Sequence, residues 1–174
     1  MMPLTIPTLT TERLILRAPT RADFAPSAAL LASARATYMG GPYDRAAAWA
    51  QFTGACASWL LEGFGSWMIT DRATGAWLGE TGITHPDHFP EPELGWMVAP
   101  EAEGQGIAHE AARAAQTWGL QTRGLATFVS YVDPENIRSL ALARRLGARQ
   151  DDSAQRPAGE TPADTTVFRH GGRP

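Results

Sequence analysis

Residues 93–112 read ELGWMVAPEAEGQGIAHEAA, and this stretch decides the fold that the sequence predicts. It begins with the apolar pattern of a strand, passes through a loop containing Gly104 and Gly106, and continues as a helix from residue 107. Glycines let backbone N–H groups turn inward, and a helix start adds unpaired N–H groups and the positive end of the helix dipole. The stretch therefore predicts an anion site suited to a pyrophosphate, although the glycine pair alone also fits a plain turn.

A second stretch, DPENIRSLALARRLGAR over residues 133–149, also follows a predicted strand and opens a helix. Asn136 and Ser139 stand three residues apart, so both face the same side of the first helical turn. Asn136 is also a favourable N-cap, and capping alone is enough to explain its presence. The spacing therefore fits either two ligand-facing side chains or a capped helix start.

The rest of the chain alternates between strand and helix patterns, with no internal repeat and no second domain boundary. A single α+β domain over residues 1–174 is therefore expected. Residues 150–163 are polar and contain prolines, which favours a mobile loop. Strands are predicted at residues 10–17, 66–71, 77–84, 93–99, 126–132 and 164–170, and helices at residues 20–33, from Asp44 to Gly63, 107–123 and 136–146.

Composition and charge narrow the classes of protein to which the chain can belong. The 174 residues are 44% hydrophobic and 19% charged, and the net charge of −3 argues against a nucleic-acid-binding protein. The lone Cys56 cannot form an internal disulfide. The sequence begins without a signal-peptide pattern and has no apolar stretch long enough to cross a bilayer. We therefore expect a cytoplasmic protein that binds neither nucleic acid nor membrane.

In this order, the motifs strand–GQGIA–helix and strand–DPENIRS–helix–RLGA resemble the GNAT superfamily of N-acetyltransferases. The closer resemblance is to the RimJ/RimL-type branch of ribosomal-protein N-terminal acetyltransferases. The segments TERLILR, WMITDRATGAWLGETGI and TTVFRH agree with it in order, so that it covers residues 9–170. The resemblance implies a mixed α/β sheet of six to seven strands with helices on both faces.

The resemblance also implies acetyl-CoA as the co-substrate and indicates where this molecule binds. Its pyrophosphate would meet backbone N–H groups of the glycine loop, and its pantetheine arm would lie where the family's fourth and fifth strands separate. Asn136 corresponds to the family's asparagine after the fifth strand, and Ser139 to a serine near the thiol. The residues carried over as acetyl-CoA-binding are Trp96, Met97, Val98, Gly104, Gln105, Gly106, Ile107, Ala108, Asn136 and Ser139.

One position departs from the family pattern. The phosphate loop of the family often starts with Gln or Arg, whereas Glu103 stands there, with Glu101 nearby. Two carboxylates beside a phosphate site would weaken binding by charge repulsion unless both turn to the solvent. We therefore expect weaker binding of acetyl-CoA, with no change in the identity of the co-substrate.

The implied reaction is attack of a neutral amine on a thioester, and it assigns roles to several residues. Glu93 is the candidate general base, since family members often carry a glutamate at the start of this strand. Glu80 in the neighbouring strand is the second candidate, and either carboxylate could act directly or through one water. The Val98 N–H is the candidate donor to the oxyanion, and Ser139 would position the leaving thiolate and could protonate it.

The resemblance thus predicts an acetyl-CoA-dependent N-acetyltransferase that acts on a protein N-terminus or a small-molecule amine, as a monomer or a homodimer. The alternative is a non-catalytic acyl-CoA-binding or regulatory module of the same fold, in which Glu93 and Ser139 would point away from the thioester. No metal is expected. His85, Asp87 and His88 lie close together in a proline-rich loop, but two histidines without further ligands are more typical of a polar loop.

Overall fold

Eight strands form one sheet in this computed structural model, which describes residues 5–172. They are β1 (Leu9–Thr10), β2 (Leu14–Arg17), β3 (Ser66–Asp71), β4 (Trp77–Thr84), β5 (Glu93–Val98), β6 (Thr127–Val132), β7 (Arg149–Gln150) and β8 (Thr166–Gly171). Their order across the sheet is β1-β2-β3-β4-β5-β6-β8-β7. Within the described residues, neighbouring strands are antiparallel except for β5 and β6, which run parallel.

The predicted α+β class is confirmed, whereas the predicted six to seven strands are too few. The predicted strand 10–17 is divided into β1 and β2, which are antiparallel neighbours, because the chain turns between them, where the Thr11 N–H donates to the Leu14 carbonyl at 2.9 Å. Side chains accept two further N–H groups of this turn. Thr11 Oγ1 accepts the N–H of Leu14 at 3.0 Å, and Glu110 Oε1 accepts the N–H of Arg13 at 3.0 Å. The other added strand, β7, has two residues and is too short to show an alternating pattern.

Four α-helices cover the two faces of the sheet, as predicted: α1 (Phe24–Leu31), α2 (Arg45–Leu61), α3 (Ile107–Thr117) and α4 (Ile137–Arg145). Asp44 caps α2, since its carboxylate accepts the N–H of Ala47 at 2.8 Å. The helix predicted over residues 107–123 is α-helical only to Thr117. Residues 118–122 form a π-turn, in which the Arg123 N–H donates to the Trp118 carbonyl at 2.8 Å.

The two faces of the sheet carry separate cores. On the face covered by α3 and α4, Trp59, Trp67 and Trp118 meet edge to face, with ring centroids 4.7 to 5.5 Å apart. On the other face, α1 and α2 pack over Met68 of β3 and Met97 of β5. The strands that precede the glycine loop are therefore packed between helices on both faces of the sheet.

Residues 151–165 form a loop without helix or strand, as predicted, but the loop is tied to itself. The Arg156 guanidinium donates to the Thr165 carbonyl at 2.8 Å and to the Ala154 carbonyl at 3.2 Å. Ala154 is buried against Val129 and Val167, so the loop packs on β6 and β8. Among residues 5–172, none of the helices combines the length and the apolar character that a bilayer span requires.

Candidate active site

The strands β5 and β6 separate immediately after they begin to pair. Within the described residues, their pairing is confined to Glu93 opposite Val129, where the Val129 N–H donates to the Pro92 carbonyl at 3.0 Å. We call the point at which the two strands part the fork. Beyond it a cleft of about 1670 Å³ opens, lined by β5, the glycine loop, the start of α4 and residues of the 151–165 loop.

The separation leaves one edge of β5 free to bind a ligand. Backbone groups along a strand point alternately to its two neighbours, and the Met97 carbonyl points toward β4. An added Cβ on Gly79 of β4 would lie 2.2 Å from that carbonyl oxygen, so the two strands approach closely at this point. The N–H and C=O groups of Trp96 and Val98 consequently face the open side of the fork. Of the three strand residues predicted to bind pantetheine, Met97 is therefore the one whose backbone is directed elsewhere.

The glycine loop has the backbone geometry that inward-facing amides require. Gly104 and Gly106 have φ values of +74° and +77°, which residues with a side chain rarely adopt. The Arg13 guanidinium donates to the Gln105 carbonyl at 3.0 Å and forms an ion pair with Glu110 at 2.7 Å. Since the C=O and N–H of a trans peptide point in opposite directions, this bond turns the Gly106 N–H away from Arg13.

The start of α3 adds further free donors at the same place. The Glu110 N–H makes the first intrahelical bond, to the Gly106 carbonyl at 3.0 Å. The amides of Ile107, Ala108 and His109 precede that bond and are the ordinary unpaired donors of a helix start. Together with the loop amides they form a ready site for a diphosphate.

Glu103 does not turn to the solvent, contrary to the condition that the sequence analysis placed on phosphate binding. Its carboxylate forms ion pairs with Arg35 and with Arg138 on α4. Two guanidinium groups against one carboxylate leave a net positive charge beside the glycine loop. Glu101 is exposed, so the repulsion that the sequence suggested is offset at one position and screened by water at the other.

Of the predicted pair at the start of α4, Asn136 is the N-cap, and both residues line the cleft. Asn136 Oδ1 accepts the Ser139 N–H at 3.2 Å and so caps the helix. The Ser139 hydroxyl accepts a hydrogen bond from the Trp96 indole N–H at 3.2 Å, which joins α4 to β5 across the cleft. Because the hydroxyl accepts from the indole, its own proton is free to be donated to a group in the cleft.

Two carboxylates open into the cleft from the face of the sheet that carries α1 and α2. Both are enclosed by protein atoms and keep a partial opening to the cleft. Burial raises the pKa of Glu93 to about 7, although the hydrogen bond from the Tyr131 N–H opposes this rise. Burial likewise raises the pKa of Glu80 to about 7, against a smaller lowering by the nearby Ser27 hydroxyl. Each is therefore poised to exchange a proton near neutral pH.

The proline-rich loop between β4 and β5 does not gather metal ligands. His85 Nε2 lies 3.1 Å from the Phe89 carbonyl, and His88 contacts the ring of Phe89. Across residues 5–172, no three side chains of the His, Cys, Asp or Glu types converge in a way that could hold a metal ion.

Three polar residues at the fork escaped the sequence analysis: Gln116, Ser130 and His170. All three are buried and hydrogen-bonded to one another in a chain. Ser130 among the apolar residues of β6 was the available signal. Gln116 and His170 are 54 positions apart, and a contact over that distance leaves no local pattern.

Comparison with known proteins places the chain among acetyltransferases. The family model described as an acetyltransferase (GNAT) domain matches residues 13–149. The structure of an acetyltransferase from Agrobacterium tumefaciens is 42% identical, with a TM-score of 0.91 and coverage of 98% of both chains. The uncharacterized protein YkkB of Bacillus subtilis is 34% identical over 88 residues, which are 49% of this chain. The matched segment spans about half of YkkB, 51% of its length.

More distant structures share the fold. RimL, a ribosomal L7/L12 alpha-N-protein acetyltransferase solved in complex with coenzyme A, is 18% identical with a TM-score of 0.68. The alignment covers 91% of this chain and 94% of RimL.

Proposed function

We propose that this chain, which belongs to the GNAT family of acetyltransferases and is of the RimJ/RimL type, transfers an acetyl group to a primary amine. The acetyl group comes from acetyl-CoA, and the amine attacks it directly. The observation that carries the proposal is the fork. It combines a free edge of β5, an amide-lined loop, a carboxylate with a pKa near neutrality and a serine hydroxyl in one cleft.

The residues around the cleft fit the successive parts of an acetyl-CoA molecule, from its pyrophosphate to its thioester. The amides of Gln105, Gly106, Ile107 and Ala108 suit its pyrophosphate, and the arginines paired with Glu103 add positive charge beside it. The open backbone groups of Trp96 and Val98 suit the amides of a pantetheine arm. Acetyl-CoA supplies a thioester whose carbonyl carbon accepts the amine and whose sulfur leaves.

Glu93 is our candidate general base. An attacking amine must lose a proton, because α-amines titrate near ~8 and lysine near ~10.4. Glu93 lies at the fork, where the cleft begins, and its raised pKa brings its proton affinity closer to that of the amine. Glu80 has a similar pKa but lies farther along β4, beneath α1, beside Ser27.

Ser139 is our candidate donor to the departing sulfur. The Trp96 indole fixes its oxygen, so its proton is oriented without competition from that neighbour. The carbonyl oxygen gains negative charge during attack, and the Val98 N–H on the open edge of β5 is our candidate donor to it. The Val98 carbonyl and the Trp96 backbone groups are then left for the pantetheine arm. These are arrangements in which charge develops against preset dipoles, which is the largest contribution that a protein usually makes to acyl transfer.

The acceptor we propose is an amine that arrives as a cation. The carboxylates of Glu80 and Glu93 face the cleft, and Glu160 and Asp164 of the 151–165 loop also line it. Such a cleft favours an ammonium group until it gives up its proton. A protein N-terminus, as in the activity that RimL's description states, and a small-molecule amine both fit this requirement.

An acceptor screen tests the proposal. Peptides with free N-termini, amino acids, polyamines and aminoglycosides are supplied with acetyl-CoA, and release of free thiol is followed against a control without acceptor. We expect release with at least one class and its loss in Glu93→Gln. Tight binding of acetyl-CoA by calorimetry without turnover for any amine would support the non-catalytic module instead.

A further inference from the structure

The parallel ladder between β5 and β6 stops where two side chains take over its next bond. Pairing ends at Glu93 and Val129, and the even spacing of a parallel ladder would next join the Tyr131 N–H to the Leu94 carbonyl. Instead, the Ser130 hydroxyl lies 2.6 Å from the Leu94 carbonyl and donates to it. The Tyr131 N–H donates to the Glu93 carboxylate at 3.3 Å. Both backbone groups are satisfied while the strands stay apart.

The direction of each hydrogen bond between Leu94, Ser130 and His170 follows from the number of protons that each group carries. A carbonyl only accepts, so the single proton of the Ser130 hydroxyl is used on Leu94. His170 Nε2 lies 2.9 Å from the same hydroxyl and must therefore donate to it. Because burial also lowers the pKa of His170 to about 4, the ring is neutral and its one N–H proton is on Nε2.

The chain of hydrogen bonds continues through Gln116 to the surface of α3. Since Nδ1 of His170 then only accepts, the Gln116 amide nitrogen donates to it at 2.9 Å. The other proton of that nitrogen goes to the Leu146 carbonyl at 3.1 Å, and the Gln116 amide oxygen accepts from Arg113 at 2.8 Å. The bonds of this chain fit one assignment of donors, so Ser130 has no equivalent second orientation.

We propose that Ser130, held by His170 and Gln116, is a positioning residue that keeps β5 and β6 apart and so sets the start of the acetyl-CoA slot. If the hydroxyl turned away, it would leave a buried N–H of His170 unpaired, which is costly. The same displacement would free the Leu94 carbonyl to take the Tyr131 N–H and would close the fork. The Tyr131 N–H would then leave Glu93. The chain of hydrogen bonds from Gln116 through His170 to Ser130, which we call the relay, therefore also fixes the proton affinity of the candidate base. The inference rests on the proposed function, since the slot is the one assigned to acetyl-CoA.

The test compares the variant Ser130→Ala with Thr70→Val as a matched control. Thr70 is also buried on a strand and also donates its hydroxyl to the carbonyl of a neighbouring strand, to Ile15 at 2.9 Å, but it lies on β3 away from the fork. Both variants remove a hydroxyl that donates to a carbonyl of a neighbouring strand, and Ser130→Ala in addition removes the acceptor of the His170 Nε2–H. A purely structural role predicts that they behave alike.

We expect Ser130→Ala to raise the dissociation constant of acetyl-CoA roughly tenfold by calorimetry, the factor that a lost hydrogen bond of ordinary strength allows. We also expect a higher pKa of Glu93, because its carboxylate loses the Tyr131 N–H. The second change is read by carbon NMR titration, with the Glu93 signal assigned by its absence in Glu93→Gln. Thr70→Val should show neither change, and Ser130→Thr, which keeps a hydroxyl, should restore both.

The outcomes are separable. If the wild-type chain does not bind acetyl-CoA, the proposed function fails, and the Glu93 titration still decides whether Ser130 controls the fork. If the wild type binds acetyl-CoA and Ser130→Ala matches Thr70→Val in both readouts, the inference is overturned. Should Ser130→Ala not fold, His170→Phe removes the donor to Ser130 and is expected to move both readouts in the same direction by a smaller amount.

Discussion

Two carboxylates on the same face of the sheet differ in what surrounds them rather than in proton affinity. Glu80 and Glu93 both have a pKa raised to about 7 by burial, and both line the cleft. Glu93 reaches across the fork to the Tyr131 N–H, whereas Glu80 is buried under α1 beside the Ser27 hydroxyl. The comparison teaches that a perturbed pKa identifies candidates for catalysis, while position relative to the reacting group distinguishes among them.

The largest expected difference is in turnover. Glu93→Gln should lower kcat by about 100-fold or more, the range typical of a lost general base, because the amide cannot take the amine's proton. Glu80→Gln should leave kcat within about fivefold, since no reacting group is assigned to it. Steady-state kinetics with a saturating acceptor measure both. Equal losses of kcat in the two variants would contradict the assignment of Glu93 alone as the general base.

The two substitutions Glu80→Gln and Glu93→Gln should change the free energy of unfolding in the same way. Each group has a folded-state pKa raised above its ordinary value of 4.5, so its protonated form is favoured by folding. The stability it contributes is full below pH 4.5 and is lost as pH rises through about 7. Each Gln variant should therefore gain on the order of 2 kcal/mol in free energy of unfolding at pH 8 and nothing at pH 4. This figure already allows for the screening of each carboxylate by water in the cleft. Urea denaturation at the two pH values checks this, and a gain that did not depend on pH would contradict it.

A smaller effect should appear in the pH dependence of activity. Once corrected for protonation of the acceptor itself, kcat/KM should rise with pH and level off above about pH 7, since the base must be ionised. Glu80→Gln should keep this acid limb unchanged. Its displacement in that variant would show that the two carboxylates titrate as a coupled pair.

The smallest expected effect concerns Ser27, which is buried on α1 beside Glu80. Its hydroxyl lowers the pKa of Glu80, so Ser27→Ala should raise that pKa by a fraction of a unit and leave Glu93 unmoved. Carbon NMR titration of both carboxyl groups measures the change. An equal movement at Glu93 would mean that the substitution reshapes the whole cleft.

The strands with a strong local pattern were predictable from the sequence. The hairpin of β3 and β4 has the predicted bounds, because two runs rich in strand-forming residues flank a glycine-containing turn. The glycine loop was equally predictable, because Gly104 and Gly106 mark it in the sequence. Both glycines have positive φ in the structure. The short strands β1 and β7 and the π-turn after Thr117 were missed because two to five residues are too few for periodicity to appear.

The candidate site was predictable only in part, for a related reason. Resemblance supplied Glu93, Ser139 and the loop, and the structure adds how each is oriented. The relay from Gln116 to Ser130 joins α3, β8 and β6, and the pairing of Glu103 with Arg35 joins residues 68 positions apart. Contacts of this range depend on tertiary packing, which no local window of sequence contains.

The place of β8 in the sheet has a consequence for biosynthesis. This strand is translated after every other strand, yet it lies between β6 and β7 and carries His170. While a ribosome is still making β8, the nascent chain has an unoccupied edge on β6 and a Ser130 without its histidine donor. The cleft can therefore take its final shape only after the last strand has been inserted, so a premature stop codon before residue 166 removes more than a terminal segment.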